Sequence, residues 1–271
     1  MQVVGGHRTM KDQIWPMLLS RLAACGTLAV LSGALWASDR PALPPLIGPD
    51  GNTGPDWRVV GFPKSHTDLP LTRFEPGQAD GVTGMQVITD ASYGTLVHDG
   101  LSTPPRRLQW RWRLDQPLGG GRRAPDLASK EGDDAALKVC VMFRHGLDRV
   151  PFWERTVLRV ARAVSGEALP AATLCYVWDS AGPAMREGSN PYTRRVRFIV
   201  LQGRDAPLSR WISETRDVGA DFARLFADEL PLGADTPPDQ LPRVHTVLVG
   251  ADSDNTGSRS SGWVTGLGWA P

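Results

Sequence analysis

The sequence predicts a mainly β fold, an antiparallel β-sandwich of jelly-roll type carrying two short helices and preceded by an N-terminal signal helix. Three observations predict it. Short β-rich runs recur between clusters of turn residues, apolar and polar side chains alternate within those runs, and the strand-helix-strand alternation that builds parallel sheets is missing.

Taken in chain order, the first element is an export signal over residues 1–37. Basic residues at Arg8, Lys11 and Arg21 precede an uncharged stretch from Leu22 to Ala37, which ends in the small residues Ser32, Ala34 and Ala37. The stretch is short for a membrane span, which takes roughly 20 apolar residues. Cleavage after Ala34 or Ala37 fits, and Met10-Lys11 offers a second, more ordinary start. A rival reading takes Leu22-Ala23-Ala24-Cys25-Gly26 as a lipoprotein box with a lipid anchor at Cys25. Residues 38–56 alternate proline with Gly and Asp, which prevents helix and ladder pairing alike, so they read as a linker or an irregular lead-in.

From Trp57 to the C-terminus, residues 57–271 read as a single β-sandwich domain. Eleven runs predict strands, beginning at Trp57, Leu71, Met85, Tyr93, Arg107, Ala136, Thr173, Arg194, Ser209, Val244 and Gly262. In Gln109-Trp110-Arg111-Trp112-Arg113 a strand puts both indoles on one face and both guanidiniums on the other. Leu137, Val139, Val141 and Phe143 likewise share a face opposite Lys138, Cys140 and Met142. Two segments have helical spacing instead. In Phe152–Ala163, Trp153, Val157 and Val160 form an apolar stripe, with Arg155, Arg159 and Arg162 expected as the solvated face. In Asp217–Leu230, Val218, Phe222, Leu225 and Phe226 share a stripe behind Asp217 as N-cap, so this helix should cover one end of the sandwich.

Charge excludes some functions. Lys plus Arg number 30 against 29 Asp plus Glu, so no global field gathers nucleic acid. Beyond the signal the cysteines are Cys140 and Cys175, each within a predicted strand. An oxidising compartment permits a disulfide between them; the alternative is two buried thiols.

No GxSxG, HExxH, P-loop or dinucleotide fingerprint is present, which lowers the case for an enzyme. Two acidic spots stand out: Asp133-Asp134 before one long strand, and Asp252-Ser253-Asp254-Asn255-Thr256-Gly257 after another. The second matches the first half of a calcium loop, but Trp263 stands where the bidentate Glu belongs. Three readings follow for Asp133, Asp134, Asp252 and Asp254: ligands of a stabilising calcium in a structural or interaction protein, paired carboxylates of a glycoside-type hydrolase, or plain turn-capping residues. A separate set, Arg111, Arg113, Lys138, Tyr176 and Trp178, reads as a ligand-facing surface. With it the leading expectation is an exported module, periplasmic or extracellular, that binds carbohydrate or another polar envelope ligand, with no cofactor unless calcium.

The strings WRVVGFPKS, ASYGTLVH, WRWRLDQPL, GDDAALKVCVMF, LPAATLCYVWD, NPYTRRVRFIVL, RDVGADFARLF and VLVGADSDNTG occur in that order. They resemble the exported bacterial proteins grouped as domain of unknown function 3047, over about Trp57 to Leu267. The resemblance implies one exported domain and brings no activity, substrate or catalytic residue with it.

Overall fold

The structure, a computed structural model, describes residues 42–62, 68–165 and 169–271. The signal segment expected over residues 1–37, with Cys25, lies outside them. Two sheets face each other. The seven-stranded sheet has the order β1 (Arg58–Val60), β4 (Tyr93–His98), β11 (Val244–Asp252), β6 (Leu137–Phe143), β7 (Ala172–Trp178), β9 (Val196–Gln202), β8 (Glu187–Ser189). The five-stranded sheet has the order β10 (Ile212–Asp217), β5 (Arg107–Gly119), β12 (Arg259–Trp269), β3 (Val82–Asp90), β2 (Arg73–Ala79). Strands remote in sequence are neighbours in space, as jelly-roll winding requires, and every pairing is antiparallel except that of β7 with β9.

The alternation read from the sequence sets which faces meet. Trp110, Trp112 and Leu114 of β5 point inward against Leu137, Val139 and Val141 of β6 and Leu174, Tyr176 and Trp178 of β7, all within one buried cluster. Burying each such side chain contributes about 1.5–3 kcal/mol, and the strong in-out pattern holds the register, since a slip of one residue would turn the whole set to water. On the other face of the seven-stranded sheet, Cys140 and Cys175 sit directly opposite each other in β6 and β7 and form a disulfide, with Cα atoms 4.1 Å apart. Val177, Phe198, Val200 and Leu248 pack around it, with Leu127 and Ala135 from the preceding loop.

Three details depart from the sequence reading. Part of the proline-rich lead-in belongs to the body of the sandwich: Leu43 and Leu46 join the main core, and the Trp57 indole donates to the carbonyl of Pro44 at 3.2 Å. Strand β8 was not foreseen, since Glu-Gly-Ser has no β-rich character and pairs only as a sheet edge. The third concerns α1 (Phe152–Ser165), which forms where expected, with Arg159 exposed as expected, but turns its apolar stripe outward and Arg155 and Arg162 toward the body. Arg155 donates to the carbonyls of Asp148 and Val150, and Arg162 to that of Leu169. Leu158 reaches a small apolar cluster with Val150 and Ala171. The helix therefore docks by offering guanidinium donors to loop carbonyls that have no ladder partners, and Trp153, Val157 and Val160 face solvent.

Helix α2 (Val218–Leu225) follows its prediction. The Asp217 carboxylate accepts from the Ala220 amide at 2.9 Å as N-cap, and Phe222, 4.2 Å from Phe143 between ring centroids, closes one end of the sandwich. After it a short 3-10 turn, Ala227–Glu229, delivers Glu229 into a buried network with His145, Arg195 and Arg197. Among the described residues no helix is long and apolar enough to cross a membrane.

Candidate functional site

Three chain segments meet at the β4 and β11 end of the seven-stranded sheet. Asp252 ends β11, opposite Tyr93 at the start of β4. Buried hydroxyls tie these ends down: Thr89 and Ser253 share a hydrogen bond of 2.7 Å, and Thr72 donates to the carbonyl of Ala251 at 2.8 Å. The second segment is the Asp133-Asp134 turn leading into β6. The Asp252 backbone amide donates to the Ala135 carbonyl, and the Ala135 amide donates back to the Asp252 carboxylate at 2.8 Å. The third is the Asn190-Pro191-Tyr192 turn between β8 and β9.

The side chains there form one polar cluster. Lys138, placed by β alternation on the outer face of β6, donates to Asp252 at 2.6 Å and lies 5.4 Å from the Tyr93 ring centre. Gly250, opposite Lys138, gives it room: a Cβ there would lie 3.2 Å from the lysine Cε and 2.9 Å from Thr95 Cγ2. The Asp133 carboxylate accepts from the Asn190 amide. Asp134 is buried and accepts from the Thr256 amide at 2.8 Å, the Thr256 hydroxyl at 2.5 Å and the Asn255 amide at 3.3 Å. Asn255 in turn donates to the Asp133 carbonyl and accepts from the Tyr192 hydroxyl at 3.1 Å. Tyr192 is 57 % exposed, whereas Tyr93, Asp133, Asp254, Asn190 and Asn255 are half-buried, so the cluster opens to solvent on one side.

Its electrostatics are far from those of free side chains. Burial, reinforced by the charge of Asp252, raises Asp133 to about 7 despite the opposing pull of Lys138 and Asn190. Burial followed by the charges of Asp252 and Asp134 raises Asp254 to about 6. Asp254 forms no ion pair with any described residue. Burial by itself would lower Lys138, but Asp252, Tyr93 and Asp133 outweigh it and hold the ammonium above its ordinary value. The site thus presents a fixed cation, two carboxyls that titrate near neutrality, two amides and two phenol rings.

The four aspartates named from the sequence are therefore gathered, but not as a cation cage. Both oxygens of Asp134 face N–H and O–H donors, and those of Asp252 face Lys138 and an amide. Among the described residues no group of three or more His, Cys, Asp or Glu is arranged to hold a metal ion. The calcium reading of Asp133, Asp134, Asp252 and Asp254 gains no support from this arrangement, in which donors already face both oxygens of Asp134 and of Asp252.

The proposed ligand-facing set divides in three. Lys138 belongs to the cluster. Arg111 and Arg113 lie on the outer face of the five-stranded sheet, where Arg111 is 5.3 Å from the Trp211 ring centre and Arg113 pairs with Asp115 at 2.6 Å and with Asp80. Tyr176 and Trp178 are on no open face at all. They point between the sheets at 0 % and 1 % exposure, and the Tyr176 hydroxyl donates to Asp221 at 2.9 Å. Strand β7 is apolar on both faces, so alternation alone did not distinguish inside from outside. Sequence reasoning missed Tyr93, Asn190, Tyr192 and Asn255. One signal was present: a lysine inside the apolar strand Leu-Lys-Val-Cys-Val-Met-Phe demands a buried anion, and β pairing supplies Asp252.

A search of curated proteins finds no match. Among solved structures the chain is similar to a mutant of CBM29-2, a family 29 carbohydrate-binding module, at 10 % identity and a TM-score of 0.33, covering 85 % of this chain and 91 % of that one. The sequence profile of a protein family of unknown function, DUF3047, matches residues 55–267. That match spans nearly all of the sandwich, and the chain belongs to the DUF3047 family.

Proposed function

We propose that this protein is an exported binding module that holds a hydroxyl-rich polar ligand, a carbohydrate of the cell envelope, at the cluster of Lys138, Asp133, Asp254, Asn190, Tyr93 and Tyr192. The observation that carries the reading is the convergence of these groups on one half-open patch. Carboxyls and amides can take a pair of neighbouring hydroxyls in two-point hydrogen bonds, an ammonium supplies further donors, and phenol faces accept the apolar side of a sugar ring. Export is supported by the three-part signal grammar and by the Cys140–Cys175 disulfide, a bond that persists in oxidising compartments. Fractionation of producing cells checks it: the chain belongs in the envelope or medium, and a cytoplasmic location would contradict export.

For the ligand, a glycan array followed by calorimetry is the test, run with Tyr192→Ala and Lys138→Met. The wild type should bind at least one envelope polysaccharide and Tyr192→Ala should weaken it about tenfold, the loss of roughly 1.4 kcal/mol of contact. No binding across the array, or binding indifferent to both variants, would overturn the reading.

One observation favours a second reading. A carboxyl near 7, as in Asp133, is suited to general acid catalysis at neutral pH, and Asp254 would be its companion in a glycoside-type hydrolase. Turnover of a screened glycoside that disappears in both Asp133→Asn and Asp254→Asn, with folding intact, would establish it. Zero activity in the wild type would leave binding alone.

A further inference from the structure

Helix α1 presents its apolar stripe to water. Phe152 and Trp153 are each 75 % exposed, and Val157 and Val160 are 59 % and 58 % exposed. Trp153, Val157 and Val160 are spaced at i, i+4 and i+7, so they form one continuous ridge, with Phe152 and Arg159 on its flank. The charged residues of the helix are three arginines and the single acid Glu154; Arg159 is exposed, while Arg155 and Arg162, on the side away from the ridge, are bonded to the body of the protein. That acid is turned to the body of the protein, where it pairs with Arg195 at 2.7 Å. Next to the helix stand the exposed Arg149 and Arg194, with Asp148 as an exposed acid and Asp228 paired with Arg194 at 3.4 Å.

We propose that α1 is a membrane-surface docking helix that lies in the headgroup region of an anionic bilayer. An ordinary surface helix turns its apolar stripe to the core; this one is held in the reverse orientation by Arg155 and Arg162 bonding to loop carbonyls. A reversed amphipathic helix with Trp and Phe outward and the exposed Arg159 beside them resembles interfacial helices, in which the rings settle at headgroup depth and an exposed guanidinium meets lipid phosphate. The balance of charge favours an anionic surface. A protein partner fits less well, since a stable interface takes about 20–30 residues a side and this ridge offers four. The inference is independent of the polar cluster, which lies on another part of the chain.

The test compares the full chain with Trp153→Glu/Val157→Glu and with Arg159→Glu, all sharing the same N-terminus. Both altered apolar residues are exposed, so circular dichroism and melting should match the wild type. Partitioning is measured by flotation with phosphatidylcholine vesicles, with and without phosphatidylglycerol. A local readout comes from Trp153 itself: its emission, taken as the difference between wild type and Trp153→Phe, should shift to the blue and be quenched by brominated acyl chains. The wild type should partition into the anionic vesicles at least about tenfold better than the double Glu variant. Arg159→Glu should lose affinity for the anionic vesicles only. Emission of Trp153 that ignores the vesicles, or equal partitioning of all three proteins, would overturn the proposal. So would a dimer that falls apart in the double variant while partitioning stays the same, which would assign the ridge to a second copy of the chain.

Discussion

Single residues decide what Tyr176, inside β7, and Tyr192, in the turn between β8 and β9, each do. Tyr176 is a core residue whose hydroxyl meets a buried carboxylate, so Tyr176→Phe should cost about 1.5–3 kcal/mol in a denaturant titration and leave ligand affinity unchanged. Tyr192, on the rim of the cluster, should behave the opposite way. Gly250→Ala should couple both effects, because the new methyl crowds Thr95 and the Lys138 stem; a stability loss of about 1–3 kcal/mol and weaker binding are expected together. At this scale the sequence was legible where a residue stood out from its pattern and illegible where it did not. The alternation of Trp110, Arg111, Trp112 and Arg113 told inside from outside correctly. In β7 every side chain is buried, and no period marks which face meets the other sheet.

Elements add constraints that no residue shows alone. The disulfide joins neighbouring strands at an internal register pair; the double variant Cys140→Ser/Cys175→Ser should lose about 2–4 kcal/mol, read as a lower denaturation midpoint. The segment after α2 supplies another test. Burial pushes the Glu229 carboxyl up, but bonds from Arg195, His145 and Arg197 prevail and bring it to about 2. Glu229→Ala strands the guanidiniums of Arg195 and Arg197 in the interior, so a loss of about 3–5 kcal/mol is expected in thermal or denaturant unfolding. Existence of both helices was legible from spacing and from the Asp217 cap. The orientation of α1 was not, because hydrophobic periodicity says that a stripe exists but carries no record of loop carbonyls seeking donors.

At the scale of the whole molecule the acids that matter pull stability in opposite directions with pH. Glu229 is depressed from 4.5, so its contribution is present above about 4.5 and is lost as pH falls toward 2. Asp133 and Asp254 are raised from 3.8 to about 7 and about 6, so the folded state keeps protons that the unfolded chain has released, and stability declines as pH rises from 3.8 through those values. Melting temperature should therefore peak in mildly acidic solution, and Asp133→Asn should flatten the decline toward neutrality. A curve rising steadily from pH 4 to pH 7 would contradict this. Two-sheet architecture was legible in the sequence because it rests on local alternation. Convergence of residues 93, 133, 138, 190, 192 and 252 was not, since it depends on strand order, which alternation does not encode. The most direct measurement of the central claim is a backbone-amide NMR titration with the polysaccharide that the array selects. The account predicts shift changes concentrated at residues 93, 133–138, 190–192 and 252–256; shifts confined to the outer sheet face around Arg111, Arg113 and Trp211 would contradict it.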